Sequence, residues 1–253
     1  MNRAGIVLAL ALVAAGAGAS LRWWRTHNVG AVQRGLSVAS AHGCFACHGP
    51  GGVTGLPDAG PGIGGVPAFA RDELRASARD EGEIREWILD GMPRRLREEA
   101  GTGDERAQLL RMPAWRGVLS DGEARDLVAY VKAVSDFDLP PSGPIFDGHE
   151  IAERRGCFGC HGPQGRGNAP NPGSLKGYIP SWDGADFPEL ARDEAEVREW
   201  ILDGSPRRLR ENRLAAFFLG RQVLQMPAYK GRLRDDEVER LLDYVRWLRT
   251  PPR

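Results

Sequence analysis

The chain has 253 residues, 42% of them hydrophobic and 27% charged, the proportions of a soluble globular protein with room for one or two domains. Its 34 basic and 34 acidic residues balance to a formal net charge of zero, which leaves no bulk basic field for nucleic acid and no long-range steering of a charged partner. Lys132, Lys176 and Lys230 are the only lysines; the other cations are arginines, suited to planar, two-pronged pairing with carboxylates.

Met1-Asn2-Arg3 precedes an apolar run from Ala4 to Ala19, which has the charge and length of an export signal. Ala17-Gly18-Ala19 has the small-x-small form of a cleavage site, whereas Arg22-Trp23-Trp24-Arg25 has the make-up of an interfacial anchor. Residues 1–29 are therefore expected to be an export signal or an N-terminal membrane anchor. Both readings put the remainder on the periplasmic side of a bacterial cytoplasmic membrane.

Val32 to His42, carrying Gly35, reads as a helix leading into Cys44-Phe45-Ala46-Cys47-His48. Gly49 to Pro67 is Gly/Pro-rich but lacks G-x-x-x-x-G-K-[ST] and follows no strand, so an irregular loop is expected, not a phosphate cradle. Asp80 and Glu83 have capping-box spacing for a helix with the apolar stripe Ile84, Trp87 and Ile88, ended by Gly91 and Pro93. A long charged connection containing Arg94-Arg95-Leu96-Arg97 reaches Met112-Pro113-Ala114-Trp115. A last helix starts near Ser120 and Glu123 and buries Leu127, Tyr130, Val131 and Val134.

After the helix-breaking stretch Asp138 to Pro144 the pattern starts again. Phe146 to Arg155 carries Gly148, Cys157-Phe158-Gly159-Cys160-His161 follows, and Arg79 to Gly91 returns almost unchanged as Arg192 to Gly204. Val197, Trp200 and Ile201 repeat the stripe. Arg207-Arg208-Leu209-Arg210 repeats the charged run, Met226-Pro227-Ala228-Tyr229 follows, and a final helix buries Leu241, Tyr244, Val245 and Leu248. No segment alternates apolar with polar residues, so the fold is expected to be all-α, with tandem domains at 30–137 and 145–253 joined by a linker at 138–144.

The two C-x-x-C-H segments use every cysteine in the chain. Cysteines three apart share one face of a helical turn, so both thiols reach the two vinyl groups on one haem edge, and the next histidine is aimed at the iron. A local disulfide or thioredoxin-like pair needs only C-x-x-C in a βαβ setting, and two Cys-Cys-His triples do not make the usual four-ligand zinc site. Two covalently bound c-type haems are expected, at Cys44, Cys47 and His48 and at Cys157, Cys160 and His161.

Methionine is the natural sixth ligand. Met226 is the sole methionine of the second copy, and aligning it with the first selects Met112; Met92 lines up with Ser205 and is expected to pack in the core, with ligation of the first iron as its alternative because it too precedes a proline. His27, His42 and His149 are the histidine alternatives, but none is repeated, and the latter two are expected on solvated helix surface. Metal ligation by His48, Met112, His161 and Met226 would close both irons.

With haem segment, Met-Pro-Ala and closing Tyr-bearing helix in order, each copy resembles a class I c-type cytochrome domain, and residues 30 to 249 resemble a tandem di-haem cytochrome c. The resemblance implies that first and last helices cross closely, Gly35 and Gly148 making room that Tyr130 and Tyr244 fill, and that the Pro50 and Pro163 carbonyls accept from the haem histidines. It also implies one-electron transfer between a redox protein donor and acceptor, alone or as a subunit of a membrane complex, with no catalytic residue, small-molecule substrate or nucleic acid. The alternative is a di-haem enzyme such as a peroxidase or a thiosulfate-oxidising cytochrome, which needs an open or labile sixth position. Docking is expected at Phe45, Ala46, Trp115, Phe158, Gly159 and Tyr229 with mild salt dependence; the two arginine runs, as docking or propionate sites or as local partners of Glu98, Glu99 and Glu211, are the competing surface.

Overall fold

A computed structural model describes residues 29–58, 65–104 and 110–250, together with Gly16. Apart from Gly16 and Val29, the expected export signal or anchor, His27 included, lies outside them. Among the described residues no helix is long and apolar enough to cross a membrane.

The fold is all-α. Among the described residues there is no strand, only the isolated bridges Leu56 with Val66, Arg116 with Leu119 and Pro170 with Tyr178. The helices are α1 (Ala31–Ala41), α2 (Phe45–His48), α3 (Arg71–Ser77), α4 (Glu81–Asp90), α5 (Arg94–Asp104), α6 (Asp121–Val134), α7 (Pro144–Arg154), α8 (Cys157–His161), α9 (Phe187–Leu190), α10 (Glu194–Asp203), α11 (Arg207–Glu211), α12 (Arg213–Arg221) and α13 (Asp235–Arg249).

The chain divides into two compact units. Of the described residues, the larger holds those within 30–168, 181–183 and 233–250, and the smaller holds Val29 with 169–180 and 184–232.

In the larger unit α1 crosses α6 at Gly35, where a Cβ would run into the Asp126 carbonyl oxygen and come within 2.7 Å of Tyr130 Cβ. α7 crosses α13 in the same way: a Cβ on Gly148 would strike the Arg240 carbonyl and lie 2.8 Å from Tyr244 Cβ. Only glycine permits backbones this close. Tyr130 and Tyr244 fill the crossings, almost fully buried, and donate their hydroxyls to the Gly51 and Gln164 carbonyls at 2.9 and 3.1 Å. Ile84, Ile88, Leu127 and Val131 complete the core around α6.

Helix starts follow the expected chemistry with one difference. Ser120 and Glu123 form a reciprocal capping box on α6. Asp80 accepts from the Glu83 N–H at 2.9 Å, but Glu83 reaches back to the N–H of Arg79, one residue before the cap. Asp193, Glu196 and Arg192 repeat this on α10. The charged connections contain helices, α5 and α11.

The Asp138–Pro144 stretch packs into the larger unit: Leu139 is buried and its carbonyl accepts from Arg71 at 3.4 Å. Just before it, Asp136 adopts a left-handed φ of 51°, and Gln164 one of 55°; they are the only non-glycine residues with positive φ among those described. Gln164 Nε2 donates to Asp136 Oδ1 at 2.9 Å, and His149 Nε2 lies 3.0 Å from the same oxygen. Burial pushes the Asp136 carboxyl up, yet its hydrogen bonds with His149 and Gln164 hold it below the usual range.

In the smaller unit the Gly/Pro-rich loop folds around a buried cation. Lys176 Nζ binds Asp186 at 2.8 Å and Glu189 at 2.7 Å, and Tyr178 donates to Asp186 at 2.8 Å. A buried charge is tolerated only when paired in this way.

Candidate haem-binding sites

Cys44 caps α2 and is half-buried, whereas Cys47, three residues on, is exposed. Burial pushes the Cys44 thiol above its ordinary value. His48 Nδ1 lies 3.0 Å from the Pro67 carbonyl oxygen, so as the neutral imidazole it donates there and leaves Nε2 for a metal. Burial also pushes His48 below its ordinary value, toward that neutral form. For His48 this corrects the acceptor implied by the resemblance: the Pro50 carbonyl, two residues from the histidine, instead closes a turn on Val53.

Each histidine lies against an aromatic ring that sequence reasoning missed. Phe69 lies tilted against His48 at 4.5 Å, and Trp182 against His161 at 4.9 Å. The Phe69 N–H donates to the Gly52 carbonyl and the Trp182 N–H to the Gly165 carbonyl, at 2.6 and 2.8 Å, and a Cβ on either glycine would collide with the ring. A signal was available, since Phe69 and Trp182 stand at equal distances after their cysteine motifs.

Gly91 ends α4 in the left-handed region at φ 76° and backs onto the Met112 carbonyl, which would lie 2.6 Å from a Cβ there. Trp115 and Arg116 then donate their N–H groups to the Ile88 and Leu89 carbonyls at 3.2 and 3.0 Å, so the open carbonyls at the end of α4 hold the methionine segment. The smaller unit repeats every part. Gly204 has φ 77° with the Met226 carbonyl at 2.6 Å, and Tyr229 and Lys230 donate to Ile201 and Leu202, both at 3.0 Å. The stripe tryptophans donate alike, Trp87 to Ser77 and Trp200 to Leu190, each at 3.0 Å.

In the larger unit a cavity of about 550 Å³ is lined by Cys44, Cys47, His48 and Met112, with Leu74, Ile84, Ile88, Leu127 and Val131 among its apolar walls. Thiols, imidazole, thioether and hydrocarbon are the lining a covalently attached haem requires, and the volume lies in the range of cofactor sites. Met92, half-buried, also lines this cavity.

The histidines expected on solvated surface are elsewhere. His42 is half-buried, faces the cavity and meets Trp115 edge-on at 5.4 Å. His149 is 3% exposed, held between Asp136 and the rings of Phe158 and Tyr244 at 5.0 and 5.5 Å, because α7 turns that face toward α13.

Within the arginine runs, Arg95 grips Glu83 through two hydrogen bonds of 2.7 and 2.9 Å, and Arg208 grips Glu196 at the same distances. These bonds hold the Glu83 and Glu196 carboxyls down at about 2. The expected local partners serve in part: Arg95 also reaches Glu99, and Arg207 pairs with Glu211 at 2.6 Å.

Two cysteine-histidine turns, each braced by an aromatic ring, and two methionine segments clasped by a helix end define the haem-bearing c-type cytochromes built from class I domains. The chain is a tandem di-haem c-type cytochrome, an electron-transfer protein with two covalently bound haems, one at Cys44 and Cys47 and one at Cys157 and Cys160. The family model described as cytochrome c matches residues 145–249, and that of cytochrome c oxidase, cbb3-type, subunit III matches residues 30–131. Cytochrome c4 of Azotobacter vinelandii is 28% identical over 178 residues, which cover 67% of this chain and 72% of that protein. Among solved structures, a reducing HAO-like protein complex of Kuenenia stuttgartiensis aligns over 85% of this chain and 96% of its own, at 21% identity and a TM-score of 0.28.

Proposed function

We propose that the protein is an exported single-electron carrier between a redox protein donor and acceptor, with each sequence copy, about 30–137 and 145–253, holding one haem closed by histidine and methionine. His48 and Met112 ligate the first iron, and His161 and Met226 the second. The observation that carries this is the repeated clasp, Gly91 on the Met112 carbonyl and Gly204 on the Met226 carbonyl, which is built into both copies and which Met92 lacks.

A haem so ligated supplies a reversible one-electron couple at raised potential. The chain's residues do the rest. The Pro67 carbonyl orients His48, the ends of α4 and α10 hold the methionine segments, and the apolar walls around the first site keep water out. With both axial positions filled by side chains, no coordination site is left for a substrate, which favours a carrier over a peroxidase or a thiosulfate-oxidising enzyme. Covalent haem attachment and the apolar leader Ala4 to Ala19 support a periplasmic location, free or held at the membrane as a subunit of a respiratory complex or dehydrogenase.

Redox titration and ferric optical spectra of three variants test the assignment. Met112→Ala and Met226→Ala should each turn one haem high-spin or water-ligated and lower its potential, while Met92→Ala changes neither haem. A first haem left unchanged in Met112→Ala and altered in Met92→Ala would reverse it.

A further inference from the structure

The two copies differ most in the stretch leading to the methionine. Between Ser205 and Arg232 seven basic residues face a single acidic one, Glu211, whereas the matching stretch Met92 to Val118 sets six basic residues against four acidic. The second copy also carries Leu214-Ala215-Ala216-Phe217-Phe218-Leu219, which has no apolar counterpart in the first. On a chain of zero net charge this is a local basic and apolar concentration.

The structure makes it a platform. Asn212 caps α12, its side chain accepting from Leu214 and Ala215 N–H groups at 3.1 and 3.0 Å. No residue of α12 is buried; Leu214 is 66% and Phe217 54% exposed, and Val223, Leu224 and Leu175 are exposed with them. Arg221 lies over the Phe217 ring at 5.3 Å, and Phe217 meets Phe218 edge-on at 5.3 Å. Asn171 fixes the segment after α12 from both sides, donating to the Leu224 carbonyl and accepting from its N–H, each at 2.9 Å. Val223 donates to Pro172 at 3.0 Å. Met226 follows two residues after Leu224, and with Gly204, Leu219 and Gln222 it lines a hollow of about 270 Å³.

We propose that α12 and the segment to Leu224 form the docking surface for an acidic redox protein whose contact face has an apolar centre. This rests on the electron-carrier reading above and assigns the Met226 segment as the place where that partner exchanges electrons. The chemistry is complementary. Arg210, Arg213 and Arg221 attract and orient an acidic rim, and Leu214, Phe217, Val223 and Leu224 supply the desolvated centre on which protein contacts depend. A nine-residue helix whose only charges are Arg213 and Arg221 lacks the strongly charged polar face of a membrane-surface helix and is better matched to such a small, transient contact. The expectation of mild salt dependence from zero net charge is replaced here, since the steering charge is local.

Stopped-flow reduction of the haem-loaded full chain by a reduced acidic blue-copper protein tests this, with ascorbate as the small-molecule control. Arg213→Gln with Arg221→Gln, and separately Phe217→Ser, should each lower the second-order rate constant by about tenfold at low ionic strength. The arginine pair should also remove much of the salt dependence. Ascorbate reduction and haem content should stay at wild-type values, as should the copper-protein rate of a control with Arg79→Gln and Arg125→Gln, two exposed arginines outside both runs. Variant rates equal to wild type overturn the docking surface and leave the carrier reading intact. Binding of the wild type to vesicles of 3:1 phosphatidylcholine and phosphatidylglycerol, lost in Phe217→Ser with the copper-protein rate unchanged, overturns it in favour of a membrane face. A wild type that ascorbate reduces but that takes no electron from acidic or basic protein donors defeats the carrier reading and this proposal together.

Discussion

Replacing Gly91 by alanine separates the cost of a backbone shape from the cost of a contact. A non-glycine residue in the left-handed region costs about 1 kcal/mol or slightly more. Gly117 shows that cost alone, because it has φ 82° and nothing within 4 Å of an added Cβ. At Gly91, φ is 76° and the Cβ would also lie 2.6 Å from the Met112 carbonyl oxygen, well inside contact distance. Relieving such crowding costs a further ~1 to 3 kcal/mol. Gly91→Ala should therefore destabilise the holoprotein by about 2 to 4 kcal/mol against about 1 for Gly117→Ala, a large share of the ~5 to 15 kcal/mol that holds a domain folded. The displaced atom belongs to the proposed ligand, so the damage should appear at the iron too. Denaturant unfolding gives the stability difference, and the long-wavelength sulfur-to-iron(III) band together with the potential of the first haem gives the ligation. If Gly91→Ala matched Gly117→Ala in stability and kept the band and potential of the first haem, the clasp on Met112 would be refuted.

Two further outcomes are expected. Tyr130→Phe leaves the Gly51 carbonyl without its hydroxyl donor and should cost about 1 kcal/mol in thermal or denaturant unfolding, with Tyr244→Phe doing the same at Gln164; wild-type stability in both would show that the ring packing alone matters. The Glu83 and Glu196 carboxyls are held at about 2, below their ordinary 4.5, so their ion pairs add stability that is fully present above about pH 4.5 and is lost as pH falls toward 2. Arg95→Gln with Arg208→Gln should flatten that acid limb while leaving the ferric spectra at neutral pH unchanged; an acid limb as steep as wild type would place its cause elsewhere.

Sequence alone was enough for the features carried by covalent chemistry and by the duplication. The cysteine-histidine turns are local, because both thiols and the imidazole lie within five residues of chain, and repetition aligns Met112 with Met226, the pair proposed here as ligands. Gly35 and Gly148 were legible because a repeated glycine within an otherwise good helix implies close approach. Tertiary structure decided whatever depends on segments far apart in the chain. Pro67 holds His48 from nineteen residues away because the intervening loop doubles back, pairing Leu56 with Val66. His149 has the sequence context of a surface helix, and only the crossing of α7 with α13 and the left-handed turns at Asp136 and Gln164 bury it in a polar cluster. Likewise Arg95 and Arg208 bind the glutamates that begin the preceding helices, since the return of the chain along α4 and α10 puts twelve residues of separation within hydrogen-bond reach. A local pattern specifies which groups a segment offers; the path of the backbone selects which distant group answers each one.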